Sequence, residues 1–165
     1  MERTRPTEAI TLRPFRPEDQ TITRRLILSG LGDHFGHIDE TMNPDLDDIT
    51  ASYVDQNAVV IVAESGGQIV GAGTLKVEAP GVGRLVRMTV ARDLRGRGLG
   101  RRLVIHLLDE ARRRGYGRVV VETTDDWQDA IGLYRACGFQ TEGFRDGDIH
   151  MYLDLENGSR QSAVG

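Results

Sequence analysis

The residues best suited to chemistry stand in one short run, Arg95-Gly96-Arg97-Gly98-Leu99-Gly100, followed directly by Arg101 and Arg102. Alternating glycines let a backbone curl so that several N–H groups converge on one small anion with no Cβ in the way. A helix-patterned segment comes next, and a helix start offers free N–H groups and a partial positive charge to phosphate oxygens. Arg95, Arg97, Arg101 and Arg102 add side-chain donors. The chemistry this asks for is the binding of a pyrophosphate or a similar ligand. Two common glycine motifs do not fit. A dinucleotide fingerprint needs G-x-G-x-x-G, but Arg101 and Leu103 stand where its last glycine would fall. A P-loop needs a lysine after its final glycine, and the only lysine is Lys76. The spacing that does fit is Arg95-x-x-Gly98-x-Gly100.

The elements that position this run alternate between strand and helix. Ile10–Phe15 predicts a short strand. Pro17-Glu18-Asp19 opens a helix to about Leu28, with Gly30 and Gly32 as its stop. Asn43-Pro44-Asp45 starts a further short helix, with Leu46, Ile49 and Tyr53 at helical spacing and Asn43 or Asp45 as cap. Ala58–Glu64, a Ser65-Gly66-Gly67 turn and Gln68–Glu78 predict an antiparallel hairpin. Gly81–Gly83 turns into a strand at Arg84–Ala91. After the glycine run, Leu99, Leu103, Val104, Leu107, Leu108 and Ala111 share one helix face, which ends at Gly115. Arg118–Thr124 reads as a buried strand. A helix from about Trp127, capped by Asp125 or Asp126, ends at Gly138. Phe139–Arg145 and Ile149–Leu155 form a last hairpin around Asp146-Gly147. The expected fold is a mixed α/β layer structure.

Composition narrows the function class. The chain has 165 residues, 39% hydrophobic and 28% charged, enough for one domain with a real core. We expect that domain over residues 1–155 and a flexible tail over 156–165. The formal charge of −4 hides a strong polarity, because 11 arginines and only three acids fall between Arg84 and Arg118. That places a cationic site within an acidic body. The single cysteine, Cys137, excludes an intramolecular disulfide scaffold. It reads as a small buried side chain rather than a nucleophile. The start MERTRPTEA carries no signal-like apolar stretch. Runs such as Ala58–Ala63 are far short of the ~20 residues of a membrane helix. The expectation is a soluble, cytoplasmic protein with no membrane partner. His34 and His37 have no second ligand pair, which argues against a metal site. The basic block has no aromatic side chain between Arg84 and Arg114 to stack on bases, so no nucleic acid is expected as partner.

The spacing Arg95-x-x-Gly98-x-Gly100 resembles the acyl-CoA pyrophosphate loop of the GNAT superfamily of N-acetyltransferases. The likeness extends further. Arg84–Val90 is similar to that family's central strand, Ala130-Ile131-Gly132-Leu133-Tyr134-Arg135-Ala136-Cys137-Gly138-Phe139 to its A-I-x-L-Y-x-x-x-G-F helix, and His150–Leu155 to its last strand. These follow in order from about Ala58 to Leu155, whereas the N-terminal third carries no diagnostic motif. The resemblance implies the GNAT acyl-CoA N-acyltransferase fold, α/β, with a mixed, mostly antiparallel central sheet of about seven strands flanked by about four helices.

What the resemblance implies for the site can be written residue by residue. Acetyl-CoA would be the acyl donor, held by Arg95, Gly96, Arg97, Gly98, Leu99, Gly100 and Arg101 and by the backbone of Met88, Thr89 and Val90. Tyr134 would be the catalytic acid that protonates the leaving thiolate, the bland alternative being a half-buried core tyrosine. Glu122 would be the base on the amine, or else a strand glutamate paired with an arginine of a neighbouring strand. Waters, Glu78 or His34 could replace it as base. Trp127 stands where many relatives carry an asparagine that contacts the cofactor, and indole cannot accept a hydrogen bond. It lines the channel or is a plain core residue. The loop Gly32–Glu40 and the helix start Asn43–Asp48 border the acceptor side. There Asp47 and Asp48 read as a solvated acidic surface, and Asp33, His34 and Asp39 stay open.

The expected activity is therefore direct transfer of an acetyl group to a primary amine, with a small-molecule amine favoured. A non-catalytic acyl-CoA sensor and a peptide or protein N-acetyltransferase are the alternatives. A homodimer through terminal strands fits the family.

Overall fold

A computed structural model describes residues 9–37 and 40–155. Seven strands form one mixed sheet: β1 (Ile10–Pro14), β2 (Val59–Ser65), β3 (Gln68–Ala79), β4 (Val82–Val90), β5 (Arg118–Thr124), β6 (Gln140–Arg145) and β7 (Asp148–Asp154). Four α-helices accompany them: α1 (Gln20–Phe35), α2 (Ile49–Ser52), α3 (Leu99–Arg113) and α4 (Gln128–Ala136). The strand order is β1-β2-β3-β4-β5-β7-β6, antiparallel throughout except for β4 beside β5. The expected mixed, mostly antiparallel sheet of seven strands with four helices is present. The expected tail over 156–165, and Asp39, lie outside the described residues.

Alternation along the strands gives the sheet two buried faces. On one, Ile61, Ala63, Leu75, Leu85, Val119, Val121, Ile149 and Met151 pack with α3 and α4. On the other, Val60, Val62 and Ala72 pack with Ile27 and Leu28 of α1 and with Leu46, Ile49 and Tyr53. The apolar stripe of α3 is fully buried as its spacing predicts. Its six side chains contribute roughly 1.5–3 kcal/mol each, so packing holds this helix and its first turn is free to serve a ligand.

Three boundaries differ from expectation. The first helix does not stop at Gly30. It runs on to Phe35 and ends at Gly36, whose φ of 85° is the left-handed stop. Gly30 is helical because α1 crosses β4 closely there: a Cβ on it would lie 2.9 Å from Thr89 Oγ1. The glycine allows an approach and does not break the helix. Second, Pro44–Asp47 forms a single 3-10 turn capped by no side chain, and Asp48 caps α2 by accepting from the Ala51 N–H. Third, α4 is preceded by Trp127 as its N-cap rather than by Asp125 or Asp126, and no side-chain cap bond forms.

Candidate active site

The strands β4 and β5 pair over three rungs only, Val82–Arg118, Gly83–Val119 and Arg84–Val120. Beyond them the two strands diverge, leaving a cleft of about 950 Å³ that passes between the two faces of the sheet. One bank is β4 from Leu85 to Val90 with the glycine loop; the other is Val121–Thr123 with the start of α4. The last turn of α1 lines the cleft as well, through Gly30, Leu31, Asp33 and His34.

The glycine loop is built as its spacing predicts. Gly96 and Gly98 have φ values of 79° and 88°, where a Cβ would be strained. The first α3 bond runs from the Arg102 N–H to the Gly98 carbonyl, so the N–H groups of Leu99, Gly100 and Arg101 precede the helical ladder. Among the described residues no backbone carbonyl outside it takes up the Gly96, Arg97 or Gly98 N–H either. Six successive backbone donors are therefore left without a backbone acceptor at a helix start, a position that suits a phosphate group. Gly96, Gly98, Gly100, Arg95 and Arg101 line the cleft. Leu99 is buried in the main core and Arg97 is exposed to solvent, and neither side chain lines the cleft.

On β4 the ladder to β3 skips. Thr74 pairs with Val86 and Ala72 with Thr89, so Arg87 and Met88 have no partner residue on β3. Arg87 takes a φ of 56°, a costly value for a non-glycine residue. A polar network stabilises it. Arg87 donates through Nε and Nη2 to Asp45 at 2.9 and 2.7 Å, and the Tyr53 hydroxyl donates to the same carboxylate. Burial alone would push the Asp45 carboxyl up, but Arg87 and Tyr53 outweigh it and hold the group below its usual range. The bulge turns Met88, Thr89 and Val90 along the cleft wall. Met88 packs partly into the main core, with its sulfur over Gly73.

Tyr134 sits on α4 facing the cleft, 5% exposed, with its ring edge-on to Phe139 at 5.7 Å. Its hydroxyl has no hydrogen-bond partner among the described residues, yet it is not among the fully buried unsatisfied atoms. Burial, then the nearby Cys137, push the phenol well above its ordinary value, so it stays protonated and able to donate. Burial likewise raises the Cys137 thiol, which keeps it a poor nucleophile.

Glu122 lines the opposite bank. Its Oε1 accepts from Arg84 at 3.3 Å and lies 3.2 Å from His150 Nδ1, directly across β7. Arg84 is held in turn by Glu78, whose carboxyl that guanidinium keeps below the usual range. The strand pairing with an arginine is thus present, and Oε2 of Glu122 carries no bond in the described network. Trp127 lines the cleft and stacks on His34, with centroids 3.9 Å apart and planes 9° from parallel.

A model of the acetyltransferase (GNAT) family matches residues 28–139, from α1 through α4. The chain belongs to the GNAT family. Curated GNAT relatives include a probable N-acetyltransferase family 8 member 5 of Mus musculus, 40% identical over 112 residues, covering 65% of this chain and 49% of that protein. An N-acetyltransferase 8 of Rattus norvegicus is 41% identical over 123 residues, covering 71% and 55%. The chain spans about half the length of the curated relatives it matches. Solved GNAT folds superpose closely. An acetyltransferase from Staphylococcus aureus Mu50 has a TM-score of 0.82 at 20% identity over 90% of this chain and 100% of that one. PaiA N-acetyltransferase of Thermoplasma acidophilum, solved with coenzyme A, gives 0.79 at 14% identity over 89% and 99%. Both share the fold.

Within this GNAT chain, sequence reasoning missed two groups. The Arg87–Asp45–Tyr53 network joins residues 42 positions apart, and no local pattern announces it. The reach of α1 to Asp33, His34 and Phe35 was hidden by reading Gly30 as a stop. A helical pattern continuing through Leu28 and Leu31 was the available signal.

Proposed function

We propose that the chain transfers the acetyl group of acetyl-CoA to a primary amine, small amines favoured, by direct transfer within a ternary complex. The observation that carries this reading is the pairing of two features in one cleft: the glycine loop, whose N–H groups have no backbone acceptor, and a Tyr134 hydroxyl with no hydrogen-bond partner among the described residues. The loop, with Arg95 and Arg101, would hold the pyrophosphate, and the N–H groups of β4 beside its bulge would hold the cofactor arm and polarise the carbonyl. The amine enters from the opposite face of the sheet, past α1. A base takes its proton, either Glu122 through the open Oε2 or a water. The amine nitrogen then bonds to the carbonyl carbon, the carbon–sulfur bond breaks, and Tyr134 gives its proton to the departing thiolate. Glu122 is not free for this role alone, because its Oε1 already accepts from Arg84 and lies beside His150 Nδ1. Trp127 would line the channel in place of a hydrogen-bonding asparagine.

The test is release of free CoA from acetyl-CoA across a panel of small amines and short peptides. Amine-dependent thiol release is expected. Saturable CoA binding with no release from any amine or peptide would replace this reading with that of an acyl-CoA sensor.

A further inference from the structure

The last turn of α1 touches both banks of the cleft. On the loop side, Asp33 pairs with Arg92 and also accepts from Arg95 Nη2 at 3.2 Å. Arg95 Nε donates to the Val90 carbonyl at 3.0 Å, so this guanidinium is fixed between the end of β4 and α1. One residue further on, His34 stacks on Trp127, and its Nε2 lies 3.1 Å from Thr124 Oγ1. Adjacent residues of one helical turn thus grip the anion loop and the entrance to α4. The turn lies on the α1 face of the sheet, opposite α3 and α4.

The loop arginines and a pyrophosphate attract each other for the same reason that they attract Asp33. A pyrophosphate brings more negative charge than one carboxylate, and its oxygens arrive beside Arg95, which lines the cleft, with Arg92 three residues before it on the exposed side. With Asp33 still in place, like charges would face each other across Arg95. We propose that Asp33 is a positioning residue that competes with the cofactor's pyrophosphate for Arg92 and Arg95, and that its release moves His34 relative to Trp127. Cofactor occupancy is thereby transmitted to the face where the amine must enter. The differential interaction that drives the change is the exchange of Asp33 for phosphate at two arginines, which satisfies the requirement that a ligand shift a conformation only through unequal affinity for its two forms. This inference rests on reading the glycine loop as a pyrophosphate site.

Trp127 is the only tryptophan in the chain, so emission excited on the red side of tyrosine absorption reports this stack. The experiment titrates the full chain, its Asp33→Asn variant and its Asp33→Glu variant with CoA by calorimetry. Inorganic pyrophosphate, which lacks the arm that would run towards Trp127, is titrated while following Trp127 emission and its quenching by acrylamide. Asp33→Asn should bind CoA up to about five-fold more tightly at low salt, the upper end for one exposed charge pair. Asp33→Glu, which keeps the carboxylate, should stay near the wild type. Pyrophosphate should change Trp127 emission in the wild type and leave it unchanged in Asp33→Asn. Equal or weaker CoA binding by Asp33→Asn would overturn the inference and leave the loop reading standing. So would wild-type emission that ignores bound pyrophosphate, a measurement that does not depend on the variant folding. A wild type that binds neither CoA nor pyrophosphate would remove the loop reading itself, and the inference with it.

Discussion

Replacing Tyr134 by phenylalanine removes one oxygen that no protein group in the described network holds. The ring is 5% exposed and packs edge-on to Phe139 at 5.7 Å, contacts that phenylalanine keeps. Because no partner is orphaned, the change in folding stability should stay within about 1 kcal/mol. Turnover should fall far more. A positioned acid contributes about 10²–10⁴-fold, which at 1.36 kcal/mol per decade is about 2.7–5.4 kcal/mol of barrier. CoA affinity should not change, since the proposed cofactor contacts lie on the glycine loop and β4. Thermal melting, CoA calorimetry and thiol release measured on the same preparation separate these effects. Alkaline stability provides a second readout. Burial raises the phenol above its ordinary value of 10.0, so the folded chain holds that proton more tightly than the unfolded chain does. Its contribution is complete below pH 10 and is lost as pH rises towards the folded value, a loss that Tyr134→Phe should abolish. Wild-type turnover in a Tyr134→Phe protein with unchanged melting would refute the acid assignment.

Asp45→Ala should destabilise the chain by about 1.5–3 kcal/mol, because it leaves the Arg87 guanidinium, 20% exposed, without its bidentate partner at a strained backbone position. Urea unfolding measures this, and an unchanged midpoint would show that the bulge holds itself. Asp19 accepts from Arg13 and from the Arg16 N–H, and Arg13 is the chief reason its carboxyl titrates below the ordinary 3.8. A depressed folded value stabilises above pH 3.8 and is lost as pH falls through it, so Asp19→Asn should lower stability at pH 7 and flatten the acid limb below pH 4. Parallel acid limbs in the two proteins would contradict this.

The core and the glycine loop were legible because their signals are local. The stripe from Leu99 to Ala111 follows a single helical period and is buried where that period puts it, and the runs at Ala58, Arg84 and Arg118 all form strands of the sheet. Gly96 and Gly98 announced a turn that only glycine makes easily. The acceptor side was less legible because its determinants lie far apart in sequence. Gly30 looked like a helix end since propensity alone cannot show that Thr89 would lie 2.9 Å from its Cβ. That misreading left His34 in a loop, where nothing suggested its stack on Trp127, 93 positions on. Glu122 was correctly placed on a strand, but its bonds to Arg84 and His150 depend on registers that one strand's sequence does not contain.

The three-rung junction between β4 and β5 has a consequence for how the molecule behaves as a solid. Four strands on one side and three on the other are sewn together by Val82–Arg84 and Arg118–Val120, so the sheet is continuous in connectivity but nearly cut through mechanically. The seam opens towards the glycine loop, where no further rung joins β4 to β5. An extended ligand arm lying in that gap would act as the missing rungs. It would stiffen two plates that otherwise meet along a short hinge, so occupancy would be felt at β6 and β1, the outermost strands of the sheet, and not only where the ligand lies.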